Sequence, residues 1–303
     1  MSATAPSTST QTPKPADLDP AHLEAQLEEV QSLVDALQGE IELLRRRDEQ
    51  IQFQIGQMDE EMRLAAKLQR DFLPKKLPQV DCVSSHVLFR PAGYVSGDFY
   101  DAMRLDEHHI GLYLADAVGH GTPAALLTMF MKNALLTKRI QGKHYELVPT
   151  SETMCRLNDT LIEQNLTLSC FATAVFGRLD CRTLEFVFSR GGHPFPIRIS
   201  ADGDIQHLES DGGLLGIMPE ETFPEARIQL EPGDRLILYS DGVEVAFADD
   251  GIGDMRHWYK FIEEQRYRSA EQILEAVDAK LAQTTGSLAA KDDLTVLAIE
   301  VAG

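Results

Sequence analysis

Nowhere in this 303-residue chain is there an apolar run approaching the roughly 18 residues that a membrane-spanning helix needs. The N-terminus, rich in Ser, Thr and Pro, lacks the charged-then-apolar pattern of a signal segment, so the expectation is a cytoplasmic protein. Cysteine is scarce: Cys82, Cys155, Cys170 and Cys181 include no C-x-x-C pair, which argues against a zinc site and against a disulfide framework. Cys170 and Cys181, in or beside apolar runs, read as buried thiols. Positive charge is in deficit, with 28 Lys and Arg against 48 Asp and Glu and a net charge of −20. Nucleic acid and anionic membranes are thereby disfavoured as main partners. The histidines form no H-E-x-x-H, no G-x-S-x-G elbow supports a serine hydrolase, and no cysteine heads a C-x5-R phosphate loop.

What is present allows one sizeable core plus an appendage, since 43% of the residues are hydrophobic. Residues 1–19 have almost no large apolar side chains and read as a disordered tail. From Leu23 the apolar residues Leu27, Val30, Val34, Leu37, Ile41 and Leu44 recur in alternating steps of four and three. The register passes through Asp48 to Ile51, Ile55, Met58, Met62 and Ala65, a Pro-free heptad seam with β-branched residues mixed into the a positions and Leu or Ile prominent at d. Gly39 and Gly56 lie outside the seam, each costing about 1 kcal/mol of helix propensity relative to Ala. A helix of this length, at about 1.5 Å per residue, outreaches the domain that would have to cover its stripe. Residues 20–65 are therefore expected to pair as a parallel coiled-coil homodimer. Residues 66–78 would form a connecting, regulatory helix ended by Pro74, and residues 79–303 the globular domain.

Strand candidates in that domain are residues 83–89, 110–115, 171–179, 184–189, 195–199, 227–230, 235–239 and 294–301. Helix candidates are 123–138, 151–164, 254–265 and 269–284, the last opening on the capping box Ser269 and Gln272. Adjacent strands joined by short turns predict antiparallel hairpins rather than βαβ units.

Four acidic motifs punctuate these elements: Ser96-Gly97-Asp98-Phe99-Tyr100-Asp101, Leu114-Ala115-Asp116-Ala117-Val118-Gly119-His120-Gly121, Tyr239-Ser240-Asp241-Gly242 and Lys291-Asp292-Asp293-Leu294-Thr295. Taken singly, each reads as ordinary turn chemistry. Together they place aspartates at the ends of apolar strands, from which several can converge on one rim of a sheet. Converging carboxylates repel unless cations neutralise them, and all-oxygen sites suit Mg²⁺ or Mn²⁺. A two-metal hydrolase is the leading expectation. Asp98 and Asp101, three apart, face opposite sides of an extended strand, so Asp98 is the metal candidate and Asp101 structural.

Gly119-His120-Gly121-Thr122-Pro123-Ala124 also fits a dinucleotide fingerprint. A Rossmann unit would need a buried strand ending in an acid about 20 residues further on, and residues 141–146 are too polar to supply one. His120 and His193 read as turn or packing residues.

The ordered set Ala65–Pro74, Val95–Asp101, Asp116–Gly121 with Pro123-Ala124-Ala125, Gly191-Gly192-His193-Pro194, Gly213–Ile217, Ser240–Glu244 and Asp292-Asp293-Leu294-Thr295 resembles the SpoIIE/RsbU branch of the PPM metal-dependent serine/threonine protein phosphatases. The resemblance covers about residues 62–301. It implies an α+β sandwich of two antiparallel β-sheets flanked by helices, and two Mn²⁺ or Mg²⁺ ions held by Asp98, Asp116, Asp241, Asp292 and the Ala117 carbonyl. Asp116 would bridge the ions, with Asp98 and Asp116 the catalytic pair, and the motif match favours Asp292 over Asp293. It implies hydrolysis of phosphoserine or phosphothreonine on a protein partner, an antagonist of an anti-sigma factor, under the control of a regulator acting through the coil. The chain departs from the family pattern at Ser96, where Gly is usual, and at Arg190, which falls beside the expected substrate contacts. The alternative is a catalytically silent coiled-coil scaffold that binds its partner through the same fold.

Overall fold

The computed structural model describes residues 20–142, 144–165, 170–248, 254–285 and 292–303. The tail expected at residues 1–19 lies outside them. The chain divides into two units, residues 1–61 and 62–303. Helix α1 spans Pro20–Phe72 and stops two residues short of Pro74, so the connecting segment 66–78 is helical only in its first part. In the first unit the seam is bare: Leu27, Val30, Leu37, Leu44, Ile51 and Met58 are all half or more exposed.

The second unit is built from β1 (Val83–Arg90), β2 (Asp98–Arg104), β3 (His109–Ala117), α2 (Thr122–Ala134), β4 (Lys138–Gln141), β5 (His144–Leu147), α3 (Thr150–Glu163), β6 (Ala172–Asp180) and β7 (Glu185–Gly191). There follow β8 (Ile197–Ile199), β9 (Ile205–His207), β10 (Ala226–Gln229), β11 (Arg235–Tyr239), α4 (Gly242–Phe247), α5 (Met255–Gln265), α6 (Ala270–Thr285) and β12 (Leu294–Val301). One sheet has the order β1-β12-β11-β8-β9 and the other β10-β7-β6-β3-β2, with every pairing antiparallel. Helices α2 and α3 pack on the second sheet, and α4 and α6 on the first.

The layering follows from alternation along the strands. In β11, Leu236 and Leu238 enter the core between the sheets, whereas Ile237 and Tyr239 enter a second core with Trp258, Ile262, Ile273 and Val277 of α5 and α6. β12 divides likewise, Leu297 and Ile299 on one side and Val296 and Ala298 on the other. Strands covered on both faces read as continuous apolar runs, which is why 235–239 and 294–301 match the expectation at both ends. The capping box of α6 is formed reciprocally: Ser269 N donates to Gln272 Oε1 at 3.2 Å and Gln272 N to Ser269 Oγ at 3.3 Å.

Several expectations are corrected. α2 ends at Ala134 rather than at residue 138, because Leu135 turns extended and Lys138 opens the exposed hairpin β4–β5. β2, β4, β5, β9 and α4 are absent from the candidate elements; β2 carries two acids and an arginine in seven residues, which masks a strand buried over most of its length. Cys181 is not a free thiol. It is joined to Cys82, 99 residues away in sequence, tying the approach to β1 in one sheet to the β6–β7 turn of the other. Cys170 is free and half-buried.

Candidate metal centre

Antiparallel pairing puts Asp98, the first residue of β2, directly opposite Asp116 near the end of β3. In the other sheet Tyr239 of β11 pairs with Val296 of β12, so Asp241, just past one strand, and Asp292, just before the other, come to the same end. The sandwich stacks these ends into one cleft of about 730 Å³, walled by Asp116, Ala117, His120, Thr173, Asp241, Asp292 and Asp293. Asp98 lies buried behind it, while Asp241 and Asp292 stand at the mouth.

Asp98 is the best-held of the group. Its Oδ2 accepts from Ser240 Oγ and from Thr295 Oγ1, both at 2.6 Å, and Ser240 Oγ in turn accepts from Thr295 N at 2.9 Å. The two bonds to Asp98 cross from one sheet to the other. Oδ1 of the same carboxylate is buried without a protein partner, a state that costs free energy unless something else satisfies it. Burial and the facing Asp116 push the Asp98 carboxyl well above its ordinary pKa. Burial, followed by the charges of Asp241, Asp292 and Asp293, raises Asp116 to about 8. Asp241 is raised by enclosure in the cleft wall and then by Asp292, and Asp292 by enclosure and then by Asp293. Among the described residues no three such side chains are already closed into a cage. Mutually destabilised carboxylates on one cleft wall, with the orphaned oxygen of Asp98 behind them opposite Asp116, nevertheless form a donor set that fits hard divalent cations.

Asp293 has a different occupation. Its Oδ1 accepts from Ala92 N at 2.7 Å and its Oδ2 from Gly97 N at 2.6 Å, so the carboxylate pins the loop between β1 and β2. Asp292 Oδ1 accepts from Asp293 N at 2.9 Å. Gly242 is required by close approach, since a Cβ there would overlap the carbonyl of Asp293. Asp101 lies across β2 from Asp98 and accepts from Lys132 Nζ at 2.5 Å; the same ammonium donates to Phe72 O at 3.3 Å.

Ser96 and Arg190 also find explanations. The Ser96 hydroxyl accepts from Asp98 N at 3.1 Å, and its backbone is gripped by buried Gln69 of α1, which donates to Ser96 O at 2.6 Å and accepts from Ser96 N at 2.9 Å. Arg190 donates twice to Ser210 O and once to His193 O and stacks on Phe195. It braces the turn between Arg190 and Phe195 against Ser210. His193 is buried, with Nδ1 at 2.8 Å from Thr173 Oγ1; burial and Arg190 lower its pKa to about 3 and keep it neutral. His120 sits in its turn but on the cleft wall. The antiparallel sheets remove the dinucleotide reading of the glycines beside it.

The sequence motifs contained Ser240, Thr295 and Asp293 without revealing their parts. Gln69 lay within the Ala65–Pro74 run, but its grip on Ser96 was missed; its one signal was a polar residue on the helix face of Ala65 and Ala66.

The two facing antiparallel sheets, the outer helices and the acidic cleft at one rim define a PP2C-type sandwich. It superposes on the SiaA-PP2C domain of Pseudomonas aeruginosa with a TM-score of 0.67 at 21% identity, over 81% of this chain and 97% of that one. RsbX, solved in complex with magnesium, shares the fold with a TM-score of 0.54 at 16% identity, over 75% of this chain and 99% of that one. The chain belongs to the stage II sporulation protein E (SpoIIE) family, whose profile matches residues 106–302. It is 29% identical over 218 residues to the phosphoserine phosphatase RsbU of Bacillus subtilis, a match spanning 72% of this chain and 63% of that protein.

Proposed function

We propose that this chain is a metal-dependent phosphoprotein phosphatase acting on phosphoserine or phosphothreonine. The observation that carries the reading is the convergence of Asp116, Asp241 and Asp292 from two sheets on one cleft, with Asp98 buried opposite Asp116, anchored through one oxygen and unpartnered at the other. These four carboxylates and the Ala117 carbonyl would hold two divalent ions, Mn²⁺ or Mg²⁺. Such ions, when bound, lower the pKa of water and neutralise charge on a phosphoryl group. Ser240 and Thr295 keep the Asp98 carboxylate in one orientation, and Asp293 holds the neighbouring loop against it. The neutral His193 shares a hydrogen bond with Thr173 on the cleft wall.

The substrate in this reading is a phosphorylated antagonist of an anti-sigma factor, as the family resemblance of the sequence implies; the likeness to the phosphoserine phosphatase RsbU supports a phosphoserine substrate. The bare seam of residues 20–61 supports a parallel homodimer and a regulator acting through the coil. No helix among the described residues is long and apolar enough to cross a membrane. Hydrolysis of an aryl phosphate with added Mn²⁺, lost in EDTA and restored by Mn²⁺, is the expected result. A folded, Mn²⁺-loaded protein with no turnover on aryl phosphate or on phosphoserine peptides would instead favour the silent scaffold.

A further inference from the structure

Cys82 and Cys181 meet at the end of the sandwich opposite the carboxylate cleft. β2 begins at Asp98 on the cleft side and ends at Arg104, while β6 carries Thr173 opposite Asp116 near one end and Asp180 opposite His109 at the other. At about 3.4 Å per residue the two ends of β2 lie about 20 Å apart. Backbone bonds, rather than the sulfur atoms, hold the two cysteines in place. Cys82 O accepts from Ala302 N at 2.8 Å beside the first pair of the β1–β12 ladder, and Cys181 N donates to His108 O at 2.7 Å. Held in this way, their Cα atoms stand 5.5 Å apart, within the span that a disulfide bridges. The bond can therefore open and close with both sheets in place.

Reagents have a way in. A hollow of about 330 Å³ is lined by both cysteines and by residues at the β2–β3 turn, Arg104 and His108 among them. Each cysteine is half-buried rather than sealed in the core. A disulfide within reach of solvent is open to thiol exchange, whereas one closed off from it is a fixed staple. We propose that Cys82 and Cys181 are a reversible redox site, closed by a peroxide and opened by a dithiol, which sets the stability of the second unit from the rim away from the cleft. In closing, one thiolate attacks an oxygen of hydrogen peroxide, the O–O bond breaks, and a sulfenic acid forms as water leaves. The second thiol attacks that sulfur, and another water leaves as the S–S bond forms. Two thiols give up two electrons and two protons, and one peroxide becomes two waters. In opening, a thiolate of the dithiol attacks one sulfur, its second thiol resolves the mixed disulfide, and its protons end on Cys82 and Cys181. Because the bond spans 99 residues of sequence, closing it restricts chiefly the unfolded chain and so stabilises the fold.

The test compares the full-length, unaltered protein after stoichiometric hydrogen peroxide and after dithiothreitol, each exchanged into the same oxygen-free buffer. Alkylation without denaturant, followed by peptide mass mapping, should find Cys82 and Cys181 joined in the first state and both labelled in the second. Peroxide added to the opened protein before labelling should restore the bond. The urea midpoint of the closed state should lie about 1 M above that of the opened state. The Cys82→Ser/Cys181→Ser variant should show one midpoint after either treatment, near that of the opened protein, which separates this pair from the free Cys155 and Cys170. If that variant does not fold, mapping and midpoints on the unaltered protein still decide. A bond that dithiothreitol opens only in denaturant, thiols that peroxide leaves unjoined, or equal midpoints in the two states would each overturn the site.

Discussion

Ser240 and Asp98, 142 residues apart in sequence and in different sheets, share a buried 2.6 Å hydrogen bond in which the serine hydroxyl donates to Oδ2. Thr295 donates to the same oxygen, so Asp98 is oriented from the opposite sheet rather than by its own strand. Residues that orient a metal ligand commonly change affinity 10- to 100-fold when altered. Ser240→Ala should therefore raise the Mn²⁺ concentration for half-maximal activity by about tenfold, and Ser240→Ala/Thr295→Val by more. Calorimetric Mn²⁺ titration of the same variants checks that the change lies in binding. An unchanged Mn²⁺ requirement in the double variant would show that these hydroxyls serve packing alone.

Asp116→Asn should abolish turnover while leaving circular dichroism unchanged, because it removes a charge from a repulsive group without opening a cavity. Asp101→Asn should retain most activity and lose about 1–3 kcal/mol of stability, since it weakens the partly buried pair with Lys132. Near-normal Mn²⁺-dependent turnover in Asp116→Asn would remove this residue from the centre.

Metal-free protein should lose stability as pH rises. Asp116 has its folded pKa raised to about 8, so between the ordinary carboxylate value near 4 and that figure the folded chain binds more protons than the unfolded one. Stability is then fully present below about pH 4 and declines through pH 8. In EDTA, urea midpoints should fall from pH 5.5 to pH 8. The slope should be shallower in Asp116→Asn and in Mn²⁺. A midpoint that rises over this interval in EDTA contradicts the electrostatic account of the cleft.

The exposed seam predicts self-association. Light scattering at tens of micromolar should show a dimer for the full chain and a monomer for a chain beginning at Met62. Inserting one residue near Asp59 rotates a helix by about 100° and should alter activity or Mn²⁺ requirement, whereas seven residues preserve the phase. Equal effects from both insertions would make the coil a tether only.

Legibility followed burial. Strands covered on both faces, such as Arg235–Tyr239 and Leu294–Val301, announced themselves as apolar runs, and the four aspartates stood out because acids are poorly placed at the ends of such runs. β2 hid because its acids are satisfied by partners more than 30 residues away, Ser240, Thr295 and Lys132, none of which local pattern can supply. Asp292 and Asp293 are separated in the sequence only by motif position; the two backbone amides that Asp293 takes become its partners only after the loop at Ala92–Gly97 folds. The same holds for Cys82 and Cys181, whose proximity is a product of sheet stacking.

Gln69 binds Ser96 by its main chain alone, through the N–H and the C=O of one residue. Such a clamp is blind to what side chain stands at position 96, so drift there leaves the grip intact, whereas changing Gln69 even to Glu removes the donor half. Both bonds belong to one residue and are made or broken together. The Ser96 amide is consequently a built-in reporter: its hydrogen-exchange rate reads out whether this stretch of helix is seated, two residues from the carboxylate that begins β2.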